Sequence, residues 1–395
     1  MNLKKIKIPT FKITAILFGI IFTFLAVELA IRIAFPYYMW KYRDSSDDWE
    51  LNNRLGWTQK PHLNAISRID NGTVIHFQTN MDGLTPPGAK RENEKNRFRI
   101  MIFGNSTVVG RNVPQNQTLN SHLETILTNR KINAEVINAG VQGYSTDQVL
   151  LRMQELLPLY KPDLVAYGFC INDMPGNSTS RIYGTLLKPR FVIGNNGKLK
   201  LLEFDIKKSR IRKFGGRFQK FLGLSAVYRY FQPKIFLLRS KFMNWDEKNL
   251  LGLAMEYYYN PEKLNDFNWA LFGRLLKQMN AAAKSHNAGF FFYTHPDIAA
   301  VWEPFIKRTL KIRNINPAQY NPYALEDKLM EIGKENGVIL VPVIYYFLQN
   351  KGQKPLHLLP RDPHCNGRGY SMLAQTISNK LDSLGLLVRQ EVIPE

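Results

Sequence analysis

Short, mostly apolar runs alternate with amphipathic stretches through most of this chain, and that alternation constrains the fold more than any other feature. Residues 98–103, 135–137, 164–169, 289–293 and 338–343 read as buried strands. Between them, residues 119–128, 146–157, 262–285 and 324–336 carry apolar side chains at helical spacing, and a last helix is expected over 369–384. The helix from 146 is expected to be capped by Ser145 or Thr146 and stopped by Pro158. A strand that is apolar at every position is covered on both faces. Strands alternating with helices imply a parallel sheet with helices on either side, here a three-layer α/β/α sandwich. Ligands of such sheets bind beyond the carboxyl ends of the strands.

Chemistry-bearing residues stand at those ends. The words are Gly104-Asn105-Ser106, Asn138-Ala139-Gly140-Val141-Gln142-Gly143, Gly168-Phe169-Cys170-Ile171-Asn172-Asp173 and Asp362-Pro363-His364. A serine hydroxyl is a poor nucleophile until a base takes its proton, and His364 has the imidazole to do so. Asp362 is close enough in sequence to orient that imidazole. A glycine at 143 lets a substrate approach the backbone closely. Taken singly, Ser106 reads as a turn serine and His364 as a surface histidine; four such words in this order point to acyl-ester cleavage. His295-Pro296-Asp297 also follows a strand end and reads either as pocket lining or as a turn. The histidines at 62, 76, 122, 286 and 357 lack metal-ligand spacing, and no glycine-rich phosphate loop is present, so no metal and no cofactor is expected.

The four words together resemble the SGNH (GDSL-type) hydrolases, a family of esterases, lipases and carbohydrate O-deacetylases. Gly104, Ser106 and Gly110 match its first block, Gly143 its second, Gly168, Asn172 and Asp173 its third, and Asp362, His364 and Asn366 its last. The resemblance covers roughly residues 97 to 385. The segments Leu55-Gly56-Trp57 and 79–84 look like the lead-in of membrane-anchored bacterial members. The resemblance implies a flavodoxin-like sheet. It also implies three oxyanion donors: the Ser106 N–H, the Gly143 N–H and the Asn172 side-chain amide. Asp173 is expected to support the Asn172 loop. One position departs: Asn105 stands where the family has Asp. If the amide is merely tolerated, Asn105→Asp should leave activity level or raise it.

The N-terminus adds a membrane. Residues 13–34 are apolar except for Thr14, Thr23, Glu28 and Arg32. As a helix this run would reach about 33 Å, enough for a hydrocarbon core of roughly 30 Å. Glu28 and Arg32 are spaced to pair on one face. Lys4, Lys5, Lys7 and Lys12 precede the run, while Tyr37, Tyr38, Trp40 and Tyr42 follow it as an interfacial belt. The expectation is a single-pass anchor in the inner (cytoplasmic) membrane, with residues 1–12 cytoplasmic and the rest facing the periplasm or exterior. A cleaved signal peptide is the alternative reading.

Residues 35–95 read as a connector with one strand-like piece, 74–78, and residues 96–395 as the hydrolase domain. The alternation breaks over about 175–260. There, 191–199 reads as a hairpin turning at Asn196-Gly197. A basic stretch follows, Lys207 to Lys220, interleaved with Phe214, Phe218 and Phe221. It reads as a helical cap, or as a surface for acidic lipid heads or an anionic glycan. The net charge of +21 suits an acidic neighbour. The external topology and the absence of a recognition module argue against nucleic acid. Cys170 and Cys365 are the two cysteines, too few for a disulfide framework; their pairing stays open, and so does the oligomeric state. The function expected is a membrane-anchored serine esterase acting on O-acyl, chiefly O-acetyl, esters of an envelope or exported polysaccharide. Transfer of the acyl group to a sugar hydroxyl, or non-catalytic binding of a glycan or lipid, are the rival classes.

Overall fold

The computed structural model describes residues 10–35, 45–68, 74–183, 185–211, 224–231, 256–260, 268–350, 355–358, 362 and 364–387. The interfacial aromatics Tyr37 to Tyr42, the lysines at 4, 5 and 7 and the basic stretch from Arg212 onward lie outside them. Contacts divide the chain into two units.

The first unit comprises residues 1–44, 70–72 and 213–245. Its main element is α1 (Thr10–Ala34), a helix long and apolar enough to cross a membrane, with most of its large side chains exposed. Glu28 and Arg32 pair one turn apart at 2.6 Å, as their spacing requires. Glu28 also has a second role. Its carboxylate accepts from Ser225 Oγ (2.8 Å), Ala226 N (2.8 Å) and Val227 N (3.0 Å), and so caps the short helix formed by residues 226–231. Arg32 donates to the Leu224 carbonyl at 3.0 Å. A charge in an apolar helix is costly unless paired, and here every partner of Glu28 is a hydrogen-bond donor or a cation.

The second unit is the sandwich. It opens not with a connector but with two antiparallel hairpins. In one, β1 (Trp49–Asn52) pairs with β2 (Gly56–Gln59); in the other, β3 (Asn64–Arg68) pairs with β4 (Val74–Gln78). Only β4 was legible in advance. The sheet proper starts with β5 (Phe98–Gly104), buried at every residue. After it come α2 (Ser106–Val109), α3 (Leu119–Asn129), β6 (Ala134–Asn138), α4 (Thr146–Tyr160) and β7 (Leu164–Phe169). Helix α4 runs past Pro158 to Tyr160 rather than stopping before it. The proline falls in the last turn, where it removes one backbone bond, and Lys161 in the left-handed region closes the helix.

After α5 (Asp173–Asn177) the insertion supplies two small hairpins, β8 (Arg181–Ile182) with β9 (Leu186–Leu187) and β10 (Arg190–Ile193) with β11 (Leu199–Leu202). The β10–β11 loop is longer than a two-residue Asn-Gly turn. Gly194 N bonds the Lys198 carbonyl at 2.9 Å, and Gly197 takes a positive φ of 73° while Asn196 does not. Helix α6 (Trp269–Lys284) is capped by Asn268; residues 262–267 of the expected helix lie outside the described residues. Then follow β12 (Gly289–Thr294), α7 (Ala324–Glu335), β13 (Ile339–Val341), α8 (Val343–Asn350) and α9 (Gly367–Ser383). Residue 343, read as the end of a strand, instead begins α8.

Five strands form one parallel sheet in the order β6-β5-β7-β12-β13. Helix α3 packs with α9 and α9 with α8; α4 packs with α6 and α6 with α7. This is the expected three-layer sandwich. The chain passes from β5 to β6 on one side and then to β7 on the other. The crevice at that reversal, beyond the carboxyl ends of β5 and β7, is where such sheets bind ligands.

Buried ion pairs join neighbouring elements. Arg99 on β5 meets Glu135 on β6 at 2.8 Å. Lys188, after β9, meets Asp147 in the first turn of α4 at 2.5 Å, with side chains 0% and 1% exposed. Removing one partner strands the other charge without solvent. Lys188→Ala is therefore expected to cost about 3–5 kcal/mol of stability, read as a lowered denaturation midpoint, whereas Lys188→Met with Asp147→Leu should recover most of it. An unchanged midpoint in the single variant would show that the pair does not tie the insertion to α4.

Candidate active site

Strand β5 ends at Gly104, and the chain turns there against β7. A Cβ on Gly104 would stand 2.8 Å from the Gly168 carbonyl oxygen and 2.5 Å from Val108 Cγ2, so only glycine permits the approach. Asn105 then caps α2, its Oδ1 accepting from Thr107 N at 3.0 Å and from Thr107 Oγ1 at 2.9 Å. Ser106 is thereby the first residue of α2 and is half-buried at the sheet edge.

His364 arrives from the far end of the chain. Its carbonyl accepts from Leu358 N at 2.9 Å, and Asn366 caps α9 directly after it. The imidazole Nε2 lies 2.9 Å from Ser106 Oγ. On its other side Nδ1 bonds Asp362, whose Oδ1 also accepts the His364 backbone N–H at 2.9 Å. Burial raises the Asp362 carboxyl, but the hydrogen bonds and charge of His364, with the bond from Asn112, outweigh it and hold the group below its ordinary range. In the neutral imidazole, a Nδ1–H donated to the ionised Asp362 leaves the Nε2 lone pair facing the serine. Ser106, His364 and Asp362 therefore form a contiguous hydrogen-bonded line. Asn112, whose Nδ2 donates to Asp362 Oδ2, was not legible in advance. It lies two residues past the Gly110 turn with no spacing signal of its own.

Asn172 follows β7 and is exposed at the same edge. Asn105 Nδ2 donates to Asn172 Oδ1 at 2.9 Å and to Asp173 Oδ1 at 2.8 Å. The Asn172 oxygen is thus engaged from below, which turns its NH2 group away from Asn105 as a donor. Asp173 also accepts from Tyr167 OH at 2.7 Å and from Cys170 N at 3.2 Å, and burial pushes its carboxyl up to about 7. Asp173 buttresses Asn105 and the Asn172 loop, as expected of it.

Gly143 follows β6 in the left-handed region, φ 76°. The first hairpin holds this turn. Trp57 Nε1 donates to the Gln142 carbonyl at 2.8 Å, and Tyr144 OH donates to the Trp57 carbonyl at 2.6 Å. Residues outside the sheet thus set the backbone of a site residue.

The other candidates divide. His295 and His357 are buried; burial holds His295 well below the usual histidine range and His357 down at about 4, so both are neutral near pH 7. Asp297 caps the short helix Ile298–Val301, the turn reading of its motif, and burial pushes its carboxyl up to about 6. Cys170 and Cys365 are free thiols, both pushed up by burial, a setting of low reactivity. Among the described residues no three His, Cys, Asp or Glu side chains gather as a metal site.

No family model matches the chain, and no curated protein does. Solved structures align with it. The acetyl xylan esterase AlAXEase does so at TM-score 0.39 and 13% identity, over 72% of this chain and 99% of its own. A psychrotrophic esterase from Pseudoalteromonas sp. aligns at TM-score 0.37 and 11% identity, over 73% and 99%. The lipase/acylhydrolase from Enterococcus faecalis aligns at TM-score 0.36 and 13% identity, over 74% and 99%. Likeness at this level says nothing of chemistry, which rests on the residues of the site.

The geometry at Asn105 reverses the expectation for Asn105→Asp. An aspartate would set a carboxylate against the Asp173 carboxyl and the Asn172 oxygen, replacing two hydrogen bonds with repulsion. With Asp173 raised to about 7, one proton can be shared between the two acids below that pH and not above it. Relative to the parent, kcat/KM for an acetate ester should fall about tenfold to a hundredfold at pH 8, by the roughly 1–3 kcal/mol of a buried polar group left unpaired. The melting temperature should fall as well, and the deficit should narrow near pH 6. Parity at both pH values would show the amide to be merely tolerated.

Proposed function

We propose that this chain is a serine ester hydrolase of the SGNH type. The observation that carries the reading is the 2.9 Å contact from His364 Nε2 to Ser106 Oγ, with Asp362 on Nδ1. In this reading Ser106 Oγ attacks the acyl carbonyl carbon while its proton passes to Nε2. Asp362 holds the imidazole in orientation and stabilises the imidazolium. The negative oxygen of the tetrahedral intermediate is received by the N–H groups of Ser106 and Gly143 and by the Asn172 amide. Its collapse breaks the ester C–O bond, and the departing alcohol takes the proton from Nε2. Water, deprotonated by the same nitrogen, then releases the acid and restores Ser106.

The substrate in this reading is an O-acyl, chiefly O-acetyl, ester on an envelope or exported polysaccharide. Two features support that choice: an apolar helix fit to hold the enzyme at a membrane, and a net charge of +21 that attracts acidic polymers. Lys4, Lys5, Lys7 and Lys12, clustered at the N-terminal side of the apolar run, support a reading in which the sandwich faces the outer side of that membrane.

Ser106→Ala should abolish turnover of p-nitrophenyl acetate at an unchanged melting temperature, because a small half-buried hydroxyl is all that is lost. Undiminished turnover would sink the mechanism. Asn172→Ala should lower kcat by about 10²–10³, the usual loss for one oxyanion donor. A change confined to KM would instead make Asn172 a substrate-binding residue.

A further inference from the structure

Glu28 lies inside the apolar run of α1, and a second segment of the chain is built around it. Six residues separate it from Ala34, the end of the helix, so about 9 Å of apolar helix continues past its carboxylate. Whatever bonds that carboxylate sits at the same depth. Its partners besides Arg32 are Ser225 Oγ, Ala226 N and Val227 N. The neighbouring backbone groups of the short helix 226–231 are engaged as well. Tyr228 N donates to Ser225 Oγ at 3.2 Å, and Arg229 N to the Ser225 carbonyl at 3.1 Å. The Leu224 carbonyl accepts from Arg32 at 3.0 Å and from Arg229 at 2.9 Å. At a wet surface water can satisfy such groups; in hydrocarbon each must find its partner within the protein. Tyr230 packs on Phe35, with ring centroids 5.0 Å apart. The short helix therefore runs beside α1 from Glu28 to Phe35, toward the C-terminal end of the apolar run. Leu224 before it is 55% exposed, and Phe231 at its end 42%.

We infer that residues 224–231 form a second membrane-contacting element, seated by Glu28 beside the last turns of α1, with Leu224 and Phe231 against lipid. The inference rests on the reading of α1 as a membrane span. A carboxylate at this depth is costly unless its oxygens find donors, and the segment supplies three. In return the carboxylate starts a helix whose first N–H groups would otherwise be stranded in the apolar layer. Lipid is the occupant that fits. On the same two turns α1 exposes Leu29 and Ile33, 59% and 73%, so the apolar surface of the span continues past Glu28. Tyr228 and Tyr230 stand toward the end of the short helix nearer the membrane surface, the level that tyrosine favours.

The test puts the fluorophore NBD on one cysteine of the full-length protein carrying Cys170→Ala and Cys365→Ala. The labelled positions are Leu224→Cys, Phe231→Cys and, within α1, Ile20→Cys. The protein is reconstituted in vesicles of phosphatidylethanolamine and phosphatidylglycerol, with and without doxyl-labelled phosphatidylcholine. All three labels are expected to be quenched by the doxyl lipid and shielded from aqueous iodide. Glu28→Leu should abolish doxyl quenching at 224 and 231 and spare it at 20, whereas Glu28→Gln, which keeps an acceptor, should retain part of it. A quenched label at 20 with those at 224 and 231 open to iodide would overturn the inference and leave α1 as a span. Labels at 224 and 231 shielded from both quenchers would also overturn it, since protein would then cover them. Quenching there that survives Glu28→Leu would remove Glu28 as the seat. A label at 20 open to iodide would overturn both the inference and the reading of α1.

Discussion

The site depends on one buried side chain, the amide of Asn105. An amide is both donor and acceptor, and this one uses each capacity. Its oxygen starts α2 by accepting from Thr107, which places Ser106 at the strand end. Its nitrogen reaches across to the β7 loop and bonds both Asn172 and Asp173. The Ser106 turn and the Asn172 loop are therefore joined by a single residue that is 0% exposed. Burial is what makes the join strict, because a buried polar group left unpaired costs more than a bond contributes. The amide matches its partners here. A carboxylate could not donate, and Asp173 already supplies the carboxyl.

The sheet explains why these residues can meet at all. Strand β5 sits where the chain reverses its direction of travel across the sheet, so its carboxyl end opens into a crevice flanked by the β6 and β7 loops. Gly143 and Asn172 lie on opposite sides of Ser106 for that reason. The N-terminal hairpins are part of the same construction. Trp57 holds the Gln142 carbonyl, Asp48 pairs with Arg111 at 3.0 Å, and Arg111 lies over the Phe77 ring at 4.8 Å. Arg111 follows the Gly110 cap of α2, so this segment braces the Ser106 turn from outside the sheet.

Much of this was legible in residue patterns, for physical reasons. Strands β5 and β7 are buried on both faces and so read as apolar runs, broken in β5 only by Arg99. Ser106, Asn172 and His364 stand in short local words at strand ends. What escaped was non-local or ambiguous. The hairpins before β5 mix charged and apolar residues, with no clean alternation except in β4. Helix α8, Val-Ile-Tyr-Tyr-Phe-Leu-Gln-Asn, is as apolar as the strand it follows, so its start could not be separated from β13. Asn112 bonds a residue far along the chain, and nothing near it in sequence marks the partner. The role of Asn105 was hidden for the same reason: its consequence depends on Asp173, which only the fold brings within 2.8 Å.

The central claim is that Ser106 is a nucleophile activated by His364. Treatment of the full-length protein with a fluorophosphonate, followed by peptide mass mapping, tests it most directly. The account predicts a single adduct on Ser106 in the parent and its loss in His364→Ala, with Asp362→Asn labelled far more slowly. An unlabelled parent, or a serine modified elsewhere at the same rate in all three proteins, would contradict it.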